Sequence, residues 1–577
     1  MSREIIMKLI FFLIIQFTST ILIYGQDIGD LGSQKPFTIT GGIGGNTTFY
    51  SSNEPFSTRD PFSWNIHGNF VPTIYGFSLP FSFSVSQYSE SYADPFTQFG
   101  ISPSYKWIKL HLGYRNIPFS PFVFDGQNFL GAGVELNPGS FYIASFYGKT
   151  NKAISRDTTR IRHREPQYAR NAYGVKLGIK DQKKELTIMY MQAEDEISSI
   201  NDGLQEEIEE RISPESNSVL GLSWNFPIFK KLTWQGDVAA SLWTRDISLG
   251  EVHEIEEVEI PGFVRDIASF NYSSVFSWSG QSQLSLSLDK FNAMVGYRRI
   301  QPDFKSLGVP YMVNDIEMIN VNMGTRLIKG KWSLNGAYTT QHNNLDGMRN
   351  TELVTNTGNF STNVFFSQHF NLSANLTGVE VYQNDGLAKL SDSTRVDQLM
   401  LTYTIVPSLN FFGDNHQHTI SSSLTYTDLN DRNPVTMHQA NGSNINLSGN
   451  YSLYFIRRYF GINTNIIYSK YETQSSDYES IGLNGGANIQ FLENRNLMVQ
   501  ANIGYFVNKA SDSPTGDNIT FNLSSNFSPN RHHSFGVAAN YTITPPVNLN
   551  PLNEIDQIPY AVNSKMFTAS INYSYKF

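Results

Sequence analysis

Hydrophobic and polar residues trade places at every second position along most of this chain, and the pattern is cleanest at its end. Phe567, Ala569, Ile571, Tyr573, Tyr575 and Phe577 fall on one face of an extended strand, with Thr568, Ser570, Asn572, Ser574 and Lys576 on the other. Side chains of a strand point alternately to opposite faces, so the segment has one apolar and one wet surface. The same division separates Phe535, Val537, Ala539, Tyr541 and Ile543 from Gly536, Ala538, Asn540 and Thr542. Leu497, Val499, Ala501, Ile503 and Tyr505 repeat it, as do Trp332, Leu334 and Tyr338 and the row Leu220, Leu222, Trp224, Phe226. An antiparallel sandwich also alternates, but it has no use for so many such segments, nor for aromatics so often at strand ends.

Short turns and longer polar loops take turns between these segments. Short links fall near Thr73–Tyr75, Lys106–Lys109, Asn137–Ser140, Asp181–Lys184, Pro227–Lys231, Asp289–Phe291, Ile328–Lys331, Arg457, Glu493–Arg495 and Pro529–His533. Long ones span 51–61, 88–98, 115–128, 150–170, 192–216, 245–268, 302–314, 343–357, 383–395, 429–442, 509–517 and 546–563. Outer-membrane barrels have short periplasmic turns and long external loops. The pattern therefore predicts an all-β chain: a single large antiparallel transmembrane β-barrel of about 26 strands, with 24 as the neighbouring count and both termini periplasmic. The link at 407–417 is a long member on the short side and breaks the rule.

Composition agrees. Asp, Glu, Lys and Arg make up 16% of the 577 residues, against about 25% in globular proteins. Aromatics reach 14%, with 30 Tyr and 41 Phe, which a disordered chain would lack. Mean hydropathy is −0.29, too polar for a bundle of helices that each need about 20 consecutive apolar residues. There is no cysteine and the net charge is −9. Thiolate metal sites and lipoprotein attachment are thereby excluded, and the acidic balance opposes nucleic-acid binding.

Residues 1–25 read as a cleaved export signal: Lys8 precedes the apolar run Leu9–Ile15, which extends through Ile21-Leu22-Ile23, and Gly25 stands before Gln26. The competing reading is a retained anchor. The mature barrel is then 26–577, and about ten residues separate Gln26 from the first strand, which leaves no room for an N-terminal plug domain.

The C-terminal Tyr573-Ser574-Tyr575-Lys576-Phe577 resembles the terminal aromatic signal, carried by Tyr573, Tyr575 and Phe577, through which bacterial outer-membrane proteins reach the barrel assembly machinery. The Asn- and Tyr-rich strands, with Gln26 leading the mature chain, resemble the outer-membrane barrels of Bacteroidota. The resemblance implies a location in the Gram-negative outer membrane and an assembly route; it implies no cargo.

About 26 strands spaced ~4.8 Å apart and tilted ~40° enclose a backbone cylinder roughly 50 Å wide. So wide an opening needs closing by inward loops, by flattening or by a partner protein. The segment from Asn116 to Phe129 is the internal candidate. Pro118 and Pro121 deny it sheet hydrogen bonds, and Phe119, Phe122 and Phe124 are too apolar for a solvated loop. The sequence predicts that these five residues pack inside the barrel or onto a plug or lipoprotein partner; the plainer alternative is a tip buried against neighbouring loops. Arg160, Arg162, His163, Arg164 and Arg170 could line an anion path, although Asp157 and Glu165 among them suit a solvated loop.

No catalytic, cofactor or metal site emerges. The eleven histidines lack ligand spacing, and the pairs His416/His418 and His532/His533 read as solvated turn residues. Asp428-Leu429-Asn430-Asp431-Arg432-Asn433 lacks the glycine and distal Glu of a calcium loop. Acidic runs at Glu206–Glu210 and Glu254–Glu259 read as soluble loops. No G-x-S-x-G is present, and Gly41-Gly42 and Gly44-Gly45 lie in a strand with no following helix. The expected function is a gated conduit for a solute, polymer or polypeptide. The alternative is a non-conducting scaffold for surface lipoproteins or secretion machinery.

Overall fold

In a computed structural model the chain is described over residues 35–577, apart from 54–58, 88–97, 155–165, 201–211, 251–253, 256–257, 260–269, 545–563 and the single positions 182, 475, 493 and 512. The export signal, the arginines 160–164 and the acidic run 206–210 lie outside the described residues. Nearly all strands belong to one sheet of 28 segments, and a separate two-stranded hairpin joins Glu254–Ile255 to Val258–Glu259. Two of the spans are broken by proline. Phe77–Ser78 continues as Phe81–Ser86 past Pro80, and Gln98–Ile101 continues as Ser104–Tyr105 past Pro103. Counting each broken span once gives a closed antiparallel β-barrel of 26 strands.

Closure is a specific pairing. The first strand, Phe37–Ser52, lies antiparallel to the last, Ser564–Lys576, from Gly42 opposite Lys576 to Ser52 opposite Met566. The first and last strands of the large sheet thereby cover each other's edges, which could otherwise recruit another chain.

The contacts divide the chain into two units. The first takes in Gly68–Leu284 and Gly296–Glu317 besides the N-terminal residues to Gly41. Its strands Phe141–Asn151, Arg170–Lys180, Glu185–Asp195, Ser216–Phe229 and Leu232–Thr244 pair in sequence. The register places Ile143, Leu177, Ile188, Leu222 and Val238 in one row. Most of that row is open to the surroundings, with Ile188 52% and Leu177 43% exposed. An apolar surface of this extent is stable against lipid and not against water; it is the outer face.

The second unit comprises Gly42–His67, Ser285–Val295 and Met318–Phe577. Its twelve strands from Trp332 onwards run 11 to 16 residues, and all but the first are longer than the roughly 9–11 that cross a bilayer. Leu483, Ile503, Leu523, Val537 and Ile571 stand out from its outer face, each about half exposed.

Two long connections expected from the sequence are absent. The 407–417 link is strand: Asp397–Phe412 turns at Gly413–Asn415 into His416–Asp431. Pro407 lies opposite Leu372 on one side, while on the other side the ladder skips from Ile405–Leu424 to Ser408–Ser421 without a change of register. The missing proline N–H interrupts one ladder without ending the strand. The 509–517 loop also contracts, because Leu497–Ala510 turns directly into Ser513–Phe527. A register shift at Asn508/Lys509 absorbs the Pro-Thr-Gly sequence that read as a loop.

Candidate functional site

The first unit holds a buried apolar cluster on the face opposite its exposed belt. Residues 116–128 run between the strands Ile108–Arg115 and Phe129–Leu136 and lie against the inner positions of five strands. Two inner rows receive them. One contains Phe146, Gly174, Met191, Val219 and Ser241; the next contains Ala144, Lys176, Met189, Gly221 and Ala239. Ile117, Phe122, Val123 and Phe124 are fully buried, and Phe119 nearly so. Phe124 lies 4.3 Å from Phe146 between ring centroids, and Phe119 meets Phe146 edge-on at 5.5 Å. Pro118 and Pro121 stay exposed at the bends. Thus the structure brings Phe119, Phe122 and Phe124 into one cluster and leaves the two prolines to shape the backbone.

Glycines in the wall make the seat. A Cβ at Gly174 would come within 2.8 Å of the Phe119 ring, and one at Gly221 within 2.5 Å of Val123 Cγ2. Neither position accepts a side chain while the segment is docked.

Polar contacts fix the segment at both ends. The Lys176 ammonium, only 3% exposed, donates to the Phe119 carbonyl at 2.7 Å and pairs with Glu185 at 2.9 Å. The Gln127 amide donates to the Thr150 carbonyl at 2.8 Å, and Asn116 donates to the Gln127 carbonyl. A buried ammonium paired and hydrogen-bonded in this way is held in one geometry.

A second loop completes the cluster. Phe304 packs edge-on to Phe122 at 6.2 Å, with Leu307 beside it. Ser306 Oγ donates to the Val123 carbonyl at 2.8 Å, and Asp125 N–H donates to the Gly308 carbonyl at 3.1 Å. Asn217, fully buried, accepts from Leu307 N–H at 3.0 Å and donates to the Lys305 carbonyl at 3.2 Å. The Arg298 guanidinium lies 5.4 Å from the centre of the Phe122 ring. Sequence reasoning treated 302–314 as an ordinary loop. Its signal was Phe304, Leu307, Val309, Tyr311 and Met312, too apolar a set for a solvated connection.

Toward the short-turn end the inner wall becomes charged. Glu135 accepts from Lys109 at 3.0 Å, Tyr142 at 2.8 Å and His111 at 2.7 Å, and Ser102 meets the other nitrogen of His111 at 3.1 Å. Gln281 donates to Asp237 at 2.9 Å.

The remaining sequence candidates disperse. Arg170 forms ion pairs with Asp195 at 2.7 Å and Glu215 at 3.0 Å, which ties loop bases together. Asp431 accepts from Asn433 N–H and the Thr436 hydroxyl, an Asx turn with its acceptors used. His416, His418 and His533 stand at strand starts rather than within turns: His416 and His418 stack at 6.2 Å, and His533 meets the Tyr573 hydroxyl at 2.9 Å. No group of three metal-ligating side chains occurs among the described residues. At the chain end, Phe577 packs edge-on to Tyr575 at 5.1 Å.

No family model matches the chain, and no curated protein does. Solved structures similar to it include OccAB3 of Acinetobacter baumannii, at 10% identity over 68% of this chain and 99% of that one, with a TM-score of 0.32. The FrpB iron transporter of Neisseria meningitidis is similar at 8% identity over 93% and 81%, with a TM-score of 0.37. The siderophore receptor PirA of Pseudomonas aeruginosa is similar at 10% identity over 94% and 81%, with a TM-score of 0.36. Likenesses this distant carry no argument about cargo or mechanism.

Proposed function

We propose that this protein is an outer-membrane conduit of the Gram-negative, Bacteroidota type, gated by the segment 116–128 together with the loop 301–315. The observation that carries the proposal is the inner-face cluster: Phe119, Phe122, Val123 and Phe124 are seated on wall glycines and held by Lys176. A wall that only anchored other proteins would need no such fitted insert on its inner face. Movement of the insert exchanges a narrowed cross-section for a wider one, while the paired wall stays intact. In this reading residues 1–25 direct export and are removed. Tyr573, Tyr575 and Phe577 present the last strand to the barrel assembly machinery, and the short turns face the periplasm.

The full chain in planar bilayers tests it. Wild type should give small, steady currents, and the double variant Phe122→Ala/Phe124→Ala larger and noisier ones. A wall sealed in both proteins would overturn the conduit. If gentle-detergent extracts then held a stoichiometric lipoprotein, the scaffold role would replace it.

A further inference from the structure

The inner face of the second unit differs in kind from that of the first. Cross-strand register aligns Asn335, Ser361, Asn375, Thr404, Thr425 and Asn446 in one continuous row. Further round, Asn450, Asn465 and Asn484 stand opposite one another, and Asn502, Asn522 and Asn540 form a parallel row. Many of these groups bond to each other: Asn359 donates to Asn375 at 3.0 Å, and the Thr402–Thr427 and Thr404–Thr425 hydroxyl pairs lie at 3.1 and 3.2 Å.

On the inner positions of all twelve strands from Trp332 to Lys576, the charged side chains among the described residues are Asp385, Asp431 and Lys576, each at a strand's end. The middle of this wall carries no charge. The first unit, by contrast, sets Lys109, Glu135, Lys176, Glu185 and Asp237 on its inner positions.

Rings of charged side chains are one source of ion selectivity in a pore, and the middle of these twelve strands supplies no part of one among the described residues. What the wall offers is a surface of amides and hydroxyls, each amide able to donate twice and accept twice. That surface matches a ligand that is itself uncharged and dense in paired donors and acceptors. Resting on the conduit reading above, we infer that the cargo is a neutral, hydroxyl-rich solute of the oligosaccharide class, which slides along the Asn/Thr rows by exchanging hydrogen bonds. An anionic or cationic cargo would find no counter-charge over most of this wall, and an apolar one would meet desolvated amides.

The test uses the full chain in liposomes and bilayers. A neutral trisaccharide such as maltotriose should enter protein-bearing liposomes several-fold faster than a triuronate of equal size. In a potassium chloride gradient the wild type should favour neither ion by more than about threefold, and Asn465→Asp/Asn484→Asp/Asn502→Asp/Asn522→Asp should shift it toward potassium several-fold, because it sets four carboxylates side by side on four neighbouring strands of an uncharged sector. Equal or faster entry of the triuronate, or strong ion preference in the wild type, overturns the inference and leaves the conduit standing. A wall that passes neither sugar nor ion overturns the conduit itself. The sugar comparison needs only wild-type protein, so it decides the matter even if the fourfold variant fails to fold.

Discussion

Phe124 is fully buried and touches both the wall and its own segment, through Phe146 and Phe119. Its truncation should therefore loosen docking more than any single polar change. Phe124→Ala is expected to cost about 3–5 kcal/mol of docking free energy, seen as new chymotrypsin cleavage within 116–129 while the barrel keeps its compact migration on unheated gels. Lys176→Met removes the bond to the Phe119 carbonyl and is expected to weaken docking by about 1.5–3 kcal/mol. Glu185 would then retain Lys180, 3.4 Å away, as a partner. Bilayer recordings should show more frequent wide openings. Gly221→Leu acts from the opposite side by filling the seat of Val123; it should give the same cleavage pattern without touching the segment's own sequence.

At the scale of elements, alternation made the strands of the second unit legible because each has an apolar row against lipid and a polar row inward, whereas several strands of the first unit are apolar on both faces where the insert docks. Connections were less legible. Gly413-Asp414-Asn415 and Ser513-Pro514-Thr515-Gly516 have loop composition, and composition cannot tell a turn from a strand that carries a proline or a bulge. The 116–128 segment stood out since two prolines flank aromatics where polar residues were due. Its partner loop was missed, and so was the role of Lys176, because the register that sets Lys176 under Phe119 exists only after strands pair. Wall glycines give no signal until something is known to press on them. Pro407 offers an element-scale check. Pro407→Val restores the absent N–H, and amide exchange near Ser421–Leu424 should slow in consequence, with the strand otherwise unchanged.

For the molecule as a whole, the last strand is both an end and a neighbour of the beginning. Deleting Phe577 should lower outer-membrane levels several-fold, read by immunoblot of fractionated cells; normal levels would refute a terminal assembly signal. The pairing of Phe37–Ser52 with Ser564–Lys576 has a further consequence. Where the ribosome starts is a matter of gene order rather than of architecture, since every strand in the finished wall has two neighbours. A circular permutant, joined from end to beginning by a flexible linker and reopened at Ser511, should rebuild the same wall, provided a Tyr-Ser-Tyr-Lys-Phe end is appended to its new final strand.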